Sequence, residues 1–153
     1  MASRPFVFVL AGVNGAGKSS VGGAMLEGHG LSWFNPDAYA RELVRELGMG
    51  IGEANARAWN YGKAALEDAI ANRTHYAFET TLGGRTIAGL LRKASETHSV
   101  MMIYCGLSTP ELHVARVAQR VAHGGHHIAE PTIRERWSTS RTNLVKLLPP
   151  FQA

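Results

Sequence analysis

Phe6-Val-Phe-Val-Leu-Ala-Gly-Val-Asn-Gly-Ala-Gly-Lys-Ser-Ser20 decides the fold. Its first six residues form a continuous apolar run rich in β-branched and aromatic side chains, the pattern of a strand buried on both faces. Gly12 to Ser19 then fits G-x-x-x-x-G-K-[ST] at every fixed position. Each residue type there has a physical task. The glycines let backbone N–H groups turn inward around phosphate oxygens with no Cβ in the way. The helix that opens at Ser19 aims its positive end at the same anion. Lys18 supplies a mobile charge for the β- and γ-phosphates, and the Ser19 hydroxyl is placed to ligate Mg²⁺. Gly12, Asn14, Gly15, Ala16, Gly17, Lys18, Ser19 and Ser20 are therefore expected to hold ATP, with Mg²⁺ on Ser19. A glycine turn of no function has no need of Lys18 and Ser19 in those two places.

Beyond the loop, the helix continues to about Gly28, and Trp33-Phe34 reads as a short second strand. Asn35-Pro36-Asp37 closes it and suits the opening of a helix. Alanine-rich segments at roughly 37–47 and 53–72 carry apolar residues at helical spacing, punctuated by Gly48 and Gly50. His75 to Glu79 is a third strand, Ile87 to Ser95 a helix, and Ser99 to Cys105 a further strand. Thr109 caps a helix from Pro110 to about Ala122. A glycine and histidine loop at 123–130 leads to a last amphipathic helix, Thr132 to about Leu147. This alternation predicts an α/β fold, three layers in α/β/α order with a mostly parallel sheet and a helical lid, the P-loop NTPase arrangement. Right-handed crossovers bring the loops after the strands to one edge. Gly12–Lys18, Asn35–Asp37, Glu79–Thr81 and Gly106-Leu107 are expected to meet there.

A chain of 153 residues fits one domain with a core of its own. Its single cysteine, Cys105, excludes an internal disulfide and suits a reducing cytosol. No apolar run approaches the ~20 residues needed to cross a bilayer. The apolar stretch after Met1-Ala-Ser-Arg-Pro5 is too short for a signal peptide, so a cytoplasmic location away from membranes is expected. The net charge of +4 is unevenly spread. Residues 1–84 hold 7 Lys/Arg against 8 Asp/Glu, and residues 85–153 hold 9 against 4. A basic C-terminal half suits an anionic partner or a solvated basic face.

Two carboxylates belong to the predicted edge. Phosphoryl transfer calls for a carboxylate to orient or deprotonate the attacking hydroxyl, and often for another that holds the metal's waters. Spacing alone makes Asp37 equally a helix cap. Glu79, directly after Tyr76-Ala-Phe78, would be costly to bury unpaired, and it stands nearest to the metal-water carboxylate. Arg116 and Arg120 lie at i and i+4 on one helical face. They suit a lid that offsets transition-state charge and excludes water, or else a solvated basic face. Arg134, Arg136 and Arg141 follow on the next helix. His123, His126 and His127 have no cysteine or paired carboxylate to complete a metal site and read as a polar, substrate-facing loop. Cys105 reads as a small core residue.

Gly12-Val-Asn-Gly-Ala-Gly-Lys-Ser-Ser20, Asn35-Pro-Asp37 and Phe78-Glu-Thr-Thr-Leu82 together resemble the zeta-toxin-like P-loop kinases. Arg116-Val-x-x-Arg-Val-x-x-Gly-Gly-His126 and Ile133-Arg-x-Arg136 extend the resemblance over residues 7–137. It implies a cytoplasmic ATP-dependent kinase. The best-known members phosphorylate a sugar hydroxyl of UDP-N-acetylglucosamine. By this resemblance Asp37 is the general base on a small hydroxylated acceptor and Lys18 the β/γ-phosphate clamp. Arg116 and Arg120 steady the phosphoryl group, while Asn35, Glu79, Thr80, His126 and Arg136 contact the acceptor. It also admits an antitoxin protein as partner. Family chains of this short type continue into a further strand carrying an Asp-Asn pair, whereas this one ends Pro149-Pro-Phe-Gln-Ala153. The expectation is thus a single kinase domain over 1–153 lacking the family's last C-terminal strand. Two other readings stay open. A nucleic-acid end kinase is favoured by the basic C-terminal half and disfavoured by aromatics that are few and not interleaved with it. A non-catalytic nucleotide-binding module would keep the loop but need neither Asp37 nor the arginine pair.

Overall fold

A computed structural model describes residues 3–151, so Met1, Ala2, Gln152 and Ala153 lie outside it. Three strands form one parallel sheet: β1 (Phe6–Ala11), β2 (Tyr76–Thr80) and β3 (Ser99–Tyr104), in the order β2-β1-β3. Among the described residues six helices surround it: α1 (Lys18–Gly28), α2 (Pro36–Leu47), α3 (Ile51–Asn72), α4 (Arg85–Ala94), α5 (Pro110–Ala122) and α6 (Glu130–Phe151). Helices cover both faces of the sheet, so the P-loop NTPase fold expected of the sequence is present.

β1 is central because its apolar run has no polar side to offer water. Val7, Val9 and Ala11 join the main core with Leu66 and Ile70 of α3, Leu91 of α4 and Leu147 of α6. Leu10 alternates to the other face, where Gly22 of α1 packs against its methyls. A second cluster, Val13, Val117 and Ile133, seats the loop after β1 on α5 and α6. A third, Ala40, Ala54 and Ala58, is the close seam of the α2–α3 hairpin.

Register settles the edge. Ala11 pairs with Thr80 on one side and Tyr104 on the other, so all three strands end together. The loops expected to converge therefore do.

Four local expectations are corrected. Trp33-Phe34 is not a strand but an isolated parallel bridge, Phe34 to Phe78. Phe34 donates to Ala77 O and accepts from Glu79 N, and the Asn35 cap of α2 ends the extension at once. Glu79 does not end its strand, since β2 runs on to Thr80. Cys105 lies just past β3 and is only partly buried, although its N–H still donates to Ala11 O. The last helix starts at Glu130 and carries through Pro149 and Pro150 to Phe151. Leu147 and Phe151 both pack on the main core, and that tertiary contact overrides the helix-stopping tendency of the two prolines.

Candidate active site

The phosphate loop is built as its glycines require. Gly12 (φ 150°), Gly15 (φ 83°) and Gly17 (φ 89°) all take positive φ. Space excludes a side chain at the first two: a Cβ on Gly12 would lie 2.3 Å from Cys105 O, and one on Gly15 2.9 Å from His113 O. Gly12 N–H donates to Thr80 O, tying the loop to the end of β2. Ala16 N–H closes the turn onto Val13 O. Gly17 is the N-cap of α1 and offers no side chain to cap it, so the first-turn N–H groups stay available to an anion. Ser19 and Ser20 are exposed in that first turn.

Lys18 folds its ammonium back to donate to Gly12 O. Burial pushes its pKa down, opposed by the nearby Glu79 and Asp37 carboxylates. Glu79 is buried on β2 and accepts a 3.2 Å hydrogen bond from Trp33 Nε1. Burial pushes its pKa up, opposed by the Trp33 hydrogen bond and the Lys18 charge. The feared unpaired carboxylate is thus neither unpartnered nor in solvent.

The cap question at Asp37 is resolved in the structure. Asn35 is the N-cap of α2, its Oδ1 accepting from Ala38 N at 3.1 Å. The exposed Asp37 carboxylate has no hydrogen bond or ion pair among the described residues, and it borders the same cleft as Lys18. That cleft holds about 680 Å³. Asn35, Glu79, Thr80, His126 and Arg136 line it too, so every residue predicted to contact the acceptor faces one cavity. Thr80 Oγ1 accepts from Leu82 N–H at 3.0 Å and shapes the loop after β2.

The arginines divide. Arg136 reaches the phosphate loop and donates to Asn14 Oδ1 at 2.8 Å. Arg116 lies beside Gly15 and Gly17. The charge of Arg120 is felt at Lys18 and Glu79. Both α5 arginines are exposed, and neither lines the cleft. Arg134 is engaged elsewhere, pairing with Glu111 and Glu130.

No group of three or more His, Cys, Asp or Glu able to hold a metal occurs among the described residues. A magnesium ion that arrives on nucleotide phosphates and retains waters would need only a single protein hydroxyl. Ser19, exposed at the start of α1, is such a hydroxyl. No helix of the described residues is long and apolar enough to cross a membrane.

Two features escaped the sequence reading. His113 is buried on α5 and its Nδ1 donates to Asn14 O at 2.9 Å, so it props the phosphate loop from behind. Its i, i+3 spacing to Arg116 was the available signal, because that spacing places both on one helical face. The other is the grip of α6 on the loop after β2. Asn143 Nδ2 donates to Leu82 O and Gly84 O, and Ser140 Oγ donates to Thr81 O. Leu82, held there at φ 58°, is one of only two non-glycine residues with positive φ among the described residues.

The chain matches the AAA domain family over residues 7–144. It is 31% identical over 133 residues to an uncharacterized protein of Haemophilus influenzae, a match covering 82% of this chain and 88% of that one. Among solved structures it is similar to AvrRxo1-ORF1:-ORF2 with ATP, at TM-score 0.70 and 19% identity, over 98% of this chain and 51% of that one. It is similar to the Pnkp1/Rnl/Hen1 RNA repair complex at TM-score 0.67 and 18% identity, over 95% of this chain and 47% of that one. A gluconokinase from Sinorhizobium meliloti 1021 matches at TM-score 0.54 and 21% identity, over 89% of this chain and 74% of that one. The chain thus spans about half the length of the first two structures. At these identities the likeness shows the fold alone.

Proposed function

The chain belongs to the AAA domain family, and from that premise we propose that it is a kinase that transfers the γ-phosphoryl group of ATP to a hydroxyl of a small molecule. One observation carries the reading. An uncapped, exposed Asp37 shares a cleft with Lys18 of the phosphate loop and with Arg136. A nucleotide-binding module would need the loop but not a free carboxylate beside it. The solved relatives that include a gluconokinase and an ATP complex support the same reading.

The phosphate loop and Lys18 hold the β- and γ-phosphates, with the ammonium turning from Gly12 O to the nucleotide. Asp37 accepts the proton of the acceptor hydroxyl as its oxygen bonds to the γ-phosphorus. The bond from that phosphorus to the β-bridging oxygen breaks, and ADP leaves. Arg136, fixed through Asn14, and Arg116, beside Gly17, offset charge on the transferring group. Ser19 would hold Mg²⁺, which supplies neutralisation of phosphate charge when bound. The zeta-toxin-like subfamily, a nucleotide-sugar acceptor, an antitoxin partner and a cytoplasmic location are part of this proposal.

The test is incubation with ATP, Mg²⁺ and pooled nucleotide sugars, sugars, nucleosides and short oligonucleotides, read by mass spectrometry for a gained phosphoryl group. A phosphorylated small molecule is expected. Lys18→Ala and Asp37→Asn should each lower turnover by about 10²–10⁴-fold, the range for lost charge stabilisation or a lost general base. Phosphorylated oligonucleotide ends would instead establish the end-kinase reading, which the RNA repair relative keeps in view. Tight ATP binding with no product on any acceptor would leave a nucleotide-binding module.

A further inference from the structure

The α3 wall of the cleft has no part in the chemistry above. Asn55, Ala58, Trp59, Gly62 and Lys63 line it, at i, i+3, i+4, i+7 and i+8 on one helical face. Such a stripe ordinarily packs as an apolar seam. Here Ala58 is buried against α2, yet Trp59 beside it stays 47% exposed. Tryptophan is among the more buried residues on average, so an indole half in water on a cleft wall is an apolar plate with surface left to cover. Gly62 leaves room for the Phe34 ring, since a Cβ there would lie 2.8 Å from it.

Lys63 adds charge to the plate. Its ammonium lies 5.7 Å from the Trp59 ring centroid and 3.4 Å from Glu67 Oε1, one turn along α3. Glu67 does not line the cleft, and exposed ion pairs of this kind are weak. The other cleft cations, Lys18 and Arg136, both contact the phosphate loop. Lys63 is therefore the lysine or arginine of the cleft lining that has no hydrogen bond to the phosphate loop among the described residues.

We infer that Trp59 and Lys63 are the acceptor's recognition wall: the indole stacks on a flat ring and the ammonium pairs with an anionic group. The acceptor is then a ring-bearing alcohol that carries a phosphate or carboxylate, not a neutral polyol. This deepens the kinase reading and rests on it for the word acceptor.

Matched pairs differing only in the anionic group, such as uridine with uridine monophosphate and glucose with glucose 6-phosphate or glucuronate, provide the probes. Binding would be read by intrinsic tryptophan fluorescence and calorimetry in the presence of Mg²⁺ and a non-hydrolysable ATP analogue. At least one anionic member should bind tenfold or more tighter than its neutral partner. Lys63→Met, which keeps the apolar stem, should abolish that preference. Trp59→Ala should weaken both members tenfold or more, with affinity for the ATP analogue unchanged in either variant. Equal binding of the paired compounds, or a preference that survives Lys63→Met, overturns the wall. Both variants alter exposed or partly exposed side chains, and an unchanged melting profile would separate loss of binding from loss of fold. Anion-selective binding without turnover would keep the wall and sink the kinase. Turnover of a neutral acceptor, unmoved by Lys63→Met, would do the reverse.

Discussion

His113 donates to the Asn14 carbonyl from inside the protein, so its ring must carry a proton on Nδ1 and is best left uncharged. Burial lowers its pKa, only partly opposed by that hydrogen bond, while the Lys18 and Arg116 charges lower it further. A histidine whose pKa falls on folding binds fewer protons folded than unfolded. The stability it contributes is complete above the ordinary imidazole range and is lost as pH falls through that range. Wild type should therefore lose more stability than His113→Asn between about pH 7.5 and 5.5, measured by urea unfolding. Asn keeps a donor near the same position and removes the titration. Parallel pH profiles for the two proteins would assign the acid sensitivity to other histidines. The i, i+3 spacing of His113 to Arg116 did not decide its role, because a histidine beside an arginine pair reads equally well as solvated. Lys18 was legible because its neighbours in sequence are also its neighbours in space.

On α1, two adjacent glycines have opposite surroundings. A Cβ on Gly22 would lie 2.1 Å from a methyl of Leu10, which is fully buried and has nowhere to turn. A Cβ on Gly23 meets nothing within 4 Å. Gly23→Ala should stabilise by about 0.5–1 kcal/mol, the gain in helix propensity and backbone entropy. Gly22→Ala should destabilise by about 1–3 kcal/mol through overpacking, offset in part by the same propensity gain. Thermal or urea unfolding of both variants checks the sign, and matching signs would mean that α1 slides on β1. The sequence placed a helix here but does not tell which of Gly22 and Gly23 faces the sheet. For α2 the sequence offered Asn35-Pro-Asp37 as an opening, and only the hydrogen bond to Ala38 N distinguishes the cap from the free carboxylate.

Across the whole molecule, α6 joins parts that are far apart in sequence. Tyr104 of β3 donates to Ser140 Oγ at 2.9 Å, and Ser140 donates to Thr81 O at 2.7 Å. Ser140→Ala leaves a phenol and a carbonyl short of a partner and should cost about 1–3 kcal/mol. The exposed Ser138→Ala should stay within about ±0.5 kcal/mol. Amide exchange at Leu82 and Gly83 should quicken in Ser140→Ala, because the loop bordering the cleft loses one of its fastenings. Unchanged exchange there would show that Asn143 holds the loop alone. Read by itself, the sequence determined the parallel α/β sheet, the phosphate loop and the edge on which the candidate site lies. Those depend on residues adjacent in the chain, on hydrophobic period and on the handedness of crossovers. Tertiary structure alone decided that Phe34 makes a bridge rather than a strand and that Asp37 is free while Asn35 caps. It also decided that Arg136 reaches the loop and that Trp59 stands half exposed on a cleft wall. These follow from contacts across tens of residues, whose geometry is set by how helices pack and not by local pattern.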